Sequence, residues 1–142
     1  MPSFYRAMLP DGDLPKVGFD ARTLGVRVPV DIPVDERQHV HPNTGGMSVA
    51  PRLADLPPHR IPRRLRGLPG LAAAVGSNSL RVWRFGDGEF QSSRVSEKLW
   101  LRIDHSHPRH GLIEPDAIMR LSEFSDALAA TRPLWEIDEE LT

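Results

Sequence analysis

The chain contains no cysteine. That excludes disulfide scaffolds, thiolate zinc sites and thiol nucleophiles, and it leaves the redox compartment open, since a chain without thiols tolerates either kind. Lysine is nearly absent as well. Only Lys16 and Lys98 stand against 16 arginines, a lopsidedness that reads as host bias before it reads as function. An excess of charge of either sign is also missing: 18 basic and 19 acidic residues give a formal charge of −1. No global field therefore draws the protein to nucleic acid or anionic lipid, and any such binding must be local. No run of about 18 apolar residues occurs, and Met1-Pro2-Ser3-Phe4-Tyr5-Arg6 lacks the basic start and apolar stretch of a secretory signal. Cytoplasmic residence is the default expectation, with export left to a specialised machine.

What is present fits one domain spanning residues 1–142. Fourteen prolines and 11 glycines are too many for a helical bundle and too few for a low-complexity tract, so short strands joined by ordered loops are expected. Phe4 to Leu9 reads as a strand with Phe4, Arg6 and Met8 on one face, stopped by the turn-forming Pro10-Asp11-Gly12-Asp13. From Val26 to Val34 apolar residues alternate strictly, but Pro29 and Pro33 remove two donors and confine the segment to a sheet edge or an extended crossing. Pro51 to Gly70 carries Pro51, Pro57, Pro58, Pro62 and Pro69 and reads as a long ordered loop, of the kind that is usually functional or mobile. Leu80–Phe85, Lys98–Asp104 and His110–Ile113 read as further strands. Ile118, Leu121, Phe124 and Leu128 recur at helical spacing, which predicts a helix from Pro115 to Arg132, halted before Pro133. The acidic tail Trp135–Glu140 is expected to fray. Together these elements predict an α+β domain with a mostly antiparallel, split sheet and a C-terminal helix.

Three segments could carry chemistry. In His39-Val40-His41-Pro42-Asn43-Thr44-Gly45-Gly46-Met47-Ser48-Val49 the paired glycines let the backbone turn tightly or approach a ligand, and Ser48 supplies a hydroxyl. Spacing alone makes this a turn between strands; it lacks the Lys-Ser/Thr pair of a phosphate loop and the third glycine of a dinucleotide fingerprint. His105-Ser106-His107-Pro108-Arg109-His110 holds three imidazoles, yet no cysteine or spaced carboxylate completes a zinc pattern, so a solvated loop is expected and no metal. His59-Arg60-Ile61-Pro62-Arg63-Arg64-Leu65-Arg66 holds four arginines in seven residues and reads as a solvated face or a docking site for an acidic protein.

Phe4-Tyr5-Arg6-Ala7, Pro42-Asn43-Thr44-Gly45-Gly46-Met47-Ser48-Val49 and His110-Gly111-Leu112-Ile113-Glu114-Pro115, in that order, resemble the toxin family of the second type VI secretion exported effector, whose fold is similar to ADP-ribosyltransferases. The resemblance spans about residues 4–132. It implies a bacterial cytotoxin that uses nicotinamide adenine dinucleotide (NAD), acts inside a target cell and is held in check by a cognate immunity or antitoxin protein. In the wider superfamily a first-strand Arg or His grips the dinucleotide, a central Ser or Thr shapes the pocket, and a late Glu stabilises the ribose cation as nicotinamide departs. Carried over by position, Arg6 takes the first role, Ser48 the second and Glu114 the third, while His110 falls in the family's last block. Tyr5, Arg6, Thr44, Gly45, Gly46 and Ser48 form the implied NAD-binding set. The superfamily often has Ser-Thr-Ser where this chain has Met47 before Ser48. The chemistry agrees with the roles, because a guanidinium fork suits an anionic pyrophosphate and a preorganised carboxylate suits an oxocarbenium-like centre.

Two other classes follow from the residues themselves. A ribonuclease-like or RNA-binding toxin would use His110 and His41 as acid and base with the Arg60–Arg66 run on phosphates. A non-enzymatic interaction module would bind a partner through the proline-rich loop and the acidic tail.

Overall fold

The computed structural model describes residues 1–141 and is an α+β domain with mostly antiparallel sheets and one C-terminal α-helix. In chain order the elements are β1 Phe4–Met8, β2 Pro10–Asp11, β3 Leu14–Pro15, β4 His39–Val40, β5 Met47–Val49, β6 Arg81–Phe85, β7 Ser93–Ser96, β8 Leu99–Ile103, β9 Gly111–Pro115, β10 Met119–Arg120, α1 Leu121–Ala130 and β11 Trp135–Ile137. One sheet has the order β1-β6-β11 and the other β5-β9-β8-β7, with antiparallel pairing between neighbours in each. The small ladders β2-β3 and β4-β10 complete the set.

Among the described residues a single bridge couples the two sheets. The Tyr5 N–H donates to the Ala50 carbonyl at 2.7 Å and the Ala50 N–H donates back to Tyr5 at 3.0 Å. Beyond that pair β1 and β5 separate, so the sheet is split at this seam. Alternation along the strands then sorts the side chains into two cores. Phe4, Met8, Trp83 and Phe85 join Met47, Leu99, Leu101 and Ile113 in the larger core, which α1 covers with Phe124 and Leu128. Tyr5, Ala7 and Val82 point the other way, into a smaller core with Leu53, Leu56, Ile61, Leu71 and Ala74.

The smaller core explains why the proline-rich segment is ordered. Prolines remove donors and forbid a continuous helix, so the chain makes three single-turn 3-10 helices at Leu53–Asp55, Pro58–Arg60 and Arg63–Leu65; Leu53 of the first is buried in the smaller core, Ile61 enters it just after the second, and Leu65 of the third packs against it. Gly76 lets this segment close on itself. A Cβ at that position would lie 2.6 Å from the Ile61 carbonyl oxygen, to which the Gly76 N–H donates at 2.8 Å.

Three expectations are corrected. Val26–Val34 is not a strand but a run of turns: Val26 and Ile32 are buried while Val28 and Val30 are exposed, because Asp31 accepts from the Arg27 N–H at 2.7 Å and folds the segment over itself. The helix begins at Leu121 instead of Pro115. Pro115 ends β9 opposite Leu99, the Asp116 N–H donates to Lys98 at 3.0 Å, and β10 pairs with β4, so sheet contacts outweigh the helical period and leave Ile118 exposed. The tail does not fray: β11 pairs with β6, and Glu139 is held by Arg81 at 2.9 Å and by Arg64. Burial pushes the Glu139 carboxyl up, yet the bonds from Arg81, Arg64 and the Val82 N–H outweigh it and hold the group below the usual carboxylate range. No helix among the described residues is long and apolar enough to cross a membrane.

Candidate functional site

The seam between β1 and β5 opens into a cleft of about 420 Å³. Arg6 and Ser48 form its floor, Asp31 comes from the turn after Val26, His59 and Arg60 come from the second 3-10 turn, and His110 comes from the end of the β8–β9 connection. That connection is a braced turn. Asp104 accepts from the Ser106 N–H at 2.9 Å, the His110 N–H donates to His107 at 2.9 Å, and the Asp104 N–H donates to His110 at 3.1 Å.

Arg6 is only 6% exposed, and its partners are carbonyls, not carboxylates. Nε and Nη2 donate to Thr23 at 3.1 and 2.9 Å, Nη2 also reaches Gly25 at 3.4 Å, and Nη1 donates to Ser48 at 2.8 Å. Burial is the main cause that brings its pKa down to about 10; Asp31 opposes the shift, and the Arg60 and Arg27 charges add to it. At neutral pH the group is still a cation. Ser48 lies in the middle of β5 with its side chain exposed, between the buried Met47 and Val49, so the strand's alternation presents its hydroxyl to the cleft.

The charges around the cleft do not cancel. Asp31 is engaged by Arg27 through two bonds of 3.1 and 2.8 Å, and Asp55 is engaged by Arg52 at 2.9 Å and more loosely by Arg109 at 3.8 Å. Arg6 and Arg60 are left with no carboxylate within 4.0 Å among the described residues. His110 is half-buried, and desolvation lowers its pKa below the ordinary histidine value; Asp104 opposes this and His107 reinforces it. Its imidazole is therefore neutral at pH 7 and able to accept a proton.

Of the eight residues singled out from the sequence, the cleft gathers Arg6, Ser48 and His110; Tyr5, Thr44, Gly45, Gly46 and Glu114 lie outside its lining. Tyr5 points into the smaller core and its hydroxyl donates to Asp138 at 3.3 Å. The Thr44 hydroxyl donates to the His41 carbonyl at 2.7 Å. The paired glycines serve close approach of one backbone to another: a Cβ on Gly45 would meet the Asp31 oxygen at 2.1 Å, and one on Gly46 would meet the Ile113 oxygen at 2.3 Å. Glu114 is buried, and its Oε2 accepts from the Asn43 N–H at 2.9 Å and from Arg102 Nε at 3.0 Å. It ties the Pro42–Gly46 turn to β9. Glu114→Gln is expected to lower the unfolding free energy by about 1–2 kcal/mol, the usual worth of a partly screened charged hydrogen bond, as read by urea denaturation; an unchanged midpoint would show that the turn does not depend on this carboxylate.

His41 is also elsewhere, with Nε2 2.8 Å from Asp35. The arginine run divides. Arg64 bonds Glu139 and the Leu80 carbonyl and Arg66 bonds the Ala74 carbonyl, whereas Arg60 turns to the cleft. Sequence reasoning did not single out Asp31, His59 or Asp55 for the site. Only Arg60 carried a signal, as one member of a basic run.

Comparison of the chain with family models, curated proteins and solved structures returns no match.

Proposed function

We propose that the chain is a bacterial toxin domain of ADP-ribosyltransferase type that consumes NAD in this cleft and is restrained by a cognate immunity protein. One observation carries the reading: the guanidinium of Arg6, the hydroxyl strand position Ser48 and the neutral imidazole of His110 converge on one cationic cleft at the seam of a split antiparallel sheet. A volume near 420 Å³ suits part or all of a small organic ligand, and the uncompensated guanidiniums suit its pyrophosphate.

On this reading the bond between ribose C1′ and the nicotinamide nitrogen breaks, the electron pair leaves with nicotinamide, and the resulting cation is captured by a hydroxyl oxygen of water or an acceptor. The proton released by that hydroxyl goes to His110. Asp31 and Asp55 are carboxylates of the cleft lining that, paired with arginines, act on the developing cation through their field, while Glu114 acts as a positioning residue through the turn it holds. Incubation with NAD should release nicotinamide, and expression should arrest growth. Ser48→Ala, at an exposed position, should leave folding unchanged while cutting both effects about tenfold or more, the worth of one well-placed hydrogen bond to a charged transition state. Undiminished release and toxicity in that variant would sink the assignment.

A second reading rests on a separate observation, that His59 and His110 both line the cleft. Two imidazoles among guanidiniums could cleave a ribose phosphodiester, one taking the 2′-hydroxyl proton and the other protonating the 5′-oxygen as it leaves. Cleavage of total RNA in the absence of NAD separates this activity from the first.

A further inference from the structure

The arginines at the cleft differ in what already occupies them. Arg27 is taken by Asp31, and Arg109 lies near Asp55. Arg6 has five N–H groups, and its four bonds to backbone carbonyls leave a single Nη1 hydrogen without a protein acceptor among the described residues. Arg60 is different from all of these. It is half-buried in the cleft wall, and among the described residues its side chain makes no ion pair and no hydrogen bond. Its neighbours in the same run show that this is not a property of the segment: Arg64 and Arg66 reach acceptors, and Arg63 is exposed.

A half-buried guanidinium that faces other cations and has no protein acceptor keeps its donors available to an anion. Burial lowers the Arg60 pKa, the charges of Arg27 and Arg22 add to the effect, and those of Asp20 and Asp31 oppose it. The backbone that carries the group is nevertheless firmly placed. The Arg60 N–H donates to Pro57 at 2.8 Å, the next residue, Ile61, is buried in the smaller core, and Gly76 packs so closely that a Cβ there would lie 2.9 Å from the Arg60 carbonyl carbon. The fold therefore anchors the base of this side chain at the cleft wall and leaves its donors open to a ligand.

We infer that Arg60 is the anion-gripping side chain of this cleft, that it takes a phosphate-class group, single or linked as pyrophosphate, and that the remaining Nη1 hydrogen of Arg6 supports it from the floor. The inference rests on the reading of this cleft as a ligand site, and it moves the principal grip from the first strand to the proline-rich segment. Arg6 is then mainly a positioning residue that fixes the floor and contributes its field. A planar fork with five donors matches phosphate oxygens in two parallel bonds, which a lysine cannot reproduce. The shared chemistry is the phosphate oxygen, whether it belongs to a dinucleotide or to a nucleic-acid backbone.

The test titrates the full chain with inorganic pyrophosphate, and separately with inorganic phosphate, by calorimetry at fixed ionic strength. Pyrophosphate should bind the parent. Arg60→Ala should weaken it about tenfold or more, Arg60→Lys should recover only part of that loss, and Arg63→Ala, on the same run but outside the cleft, should change it less than about twofold, the scale of a screened surface charge. Urea unfolding of each variant without ligand verifies that the fold is intact. Absence of pyrophosphate binding to the parent, or equal losses for Arg60→Ala and Arg63→Ala, would overturn the inference. Titration with NAD and with a short RNA then distinguishes the sources of the phosphate. If pyrophosphate binds through Arg60 but no nicotinamide is released, the anion site stands and the NAD-consuming reading falls; if NAD is consumed equally by the parent and by Arg60→Ala, the opposite holds.

Discussion

Replacing Arg6 by methionine, which keeps the length and removes the charge, is expected to lower the unfolding free energy by about 2–5 kcal/mol and to abolish any activity of the cleft. The stability loss comes from acceptors and not from a lost ion pair. Arg6 satisfies the carbonyls of Thr23, Gly25 and Ser48 at once, and Thr23 and Gly25 are buried, so the substitution strands polar groups at about 1–3 kcal/mol each, partly offset because no cation need then be desolvated. These carbonyls lie on two segments far apart in sequence, 23–25 and β5. The guanidinium pins the first to the second, and without it the wall that carries Arg27 and Asp31 loses its anchor to the floor. Arg6→Lys should recover little, since one ammonium cannot span three diverging carbonyls. Urea denaturation followed by Trp fluorescence measures the loss. A change below about 1 kcal/mol, under the worth of one stranded buried acceptor, would mean that water replaces Arg6 at the carbonyls and that its role is ligand contact alone.

That double duty shows which parts of the molecule were legible in the sequence. Strands whose period is set locally were visible: Phe4–Leu9, Leu80–Phe85 and Lys98–Asp104 appear as β1, β6 and β8 with a residue or so trimmed, because alternation and turn residues decide them without outside help. The errors lie where a distant partner decides. The apolar spacing from Ile118 to Leu128 is helical, yet Met119–Arg120 pairs with β4, a partner some 80 residues earlier in the chain, and shortens the helix. At the site, Arg6 and Ser48 were flagged through the family resemblance, and the structure brings them together. The double glycine, read as a turn between strands or a place of ligand approach, is occupied by the backbones of Asp31 and Ile113. Arg60 could not be separated from Arg63, Arg64 and Arg66 by composition, because what distinguishes it is a half-buried place in the cleft wall without a protein acceptor, a three-dimensional property.

The last residues of the chain supply the second large effect, and it is independent of the cleft. Trp135 is 3% exposed and lies edge-on to Phe4 at 5.4 Å and to Phe85 at 5.5 Å, while those two rings stack at 4.8 Å with 6° between their planes. Its indole N–H donates to the Thr131 hydroxyl at 3.0 Å, which in turn donates to the Leu128 carbonyl at 2.7 Å, so one side chain joins β11, the end of α1 and the aromatic centre of the β1-β6-β11 sheet. Trp135→Ala opens a cavity among rigid rings that cannot collapse inward, and about 3–5 kcal/mol of stability should be lost. That is a large share of the roughly 5–15 kcal/mol that a domain has in total, and Tm should fall by about 10 °C or more. Trp135→Phe keeps ring contact with Phe4 and Phe85 but drops the donor, so its loss should be smaller, about 1–2 kcal/mol. Because the rings lie in the larger core and the cleft is walled by the smaller one, pyrophosphate affinity measured well below Tm should be nearly unchanged in Trp135→Phe. A Trp135→Ala protein as stable as the parent would show that β11 contributes nothing to the sheet. Equal losses for Ala and Phe would place the whole effect in the indole N–H and none in the packing of the three rings.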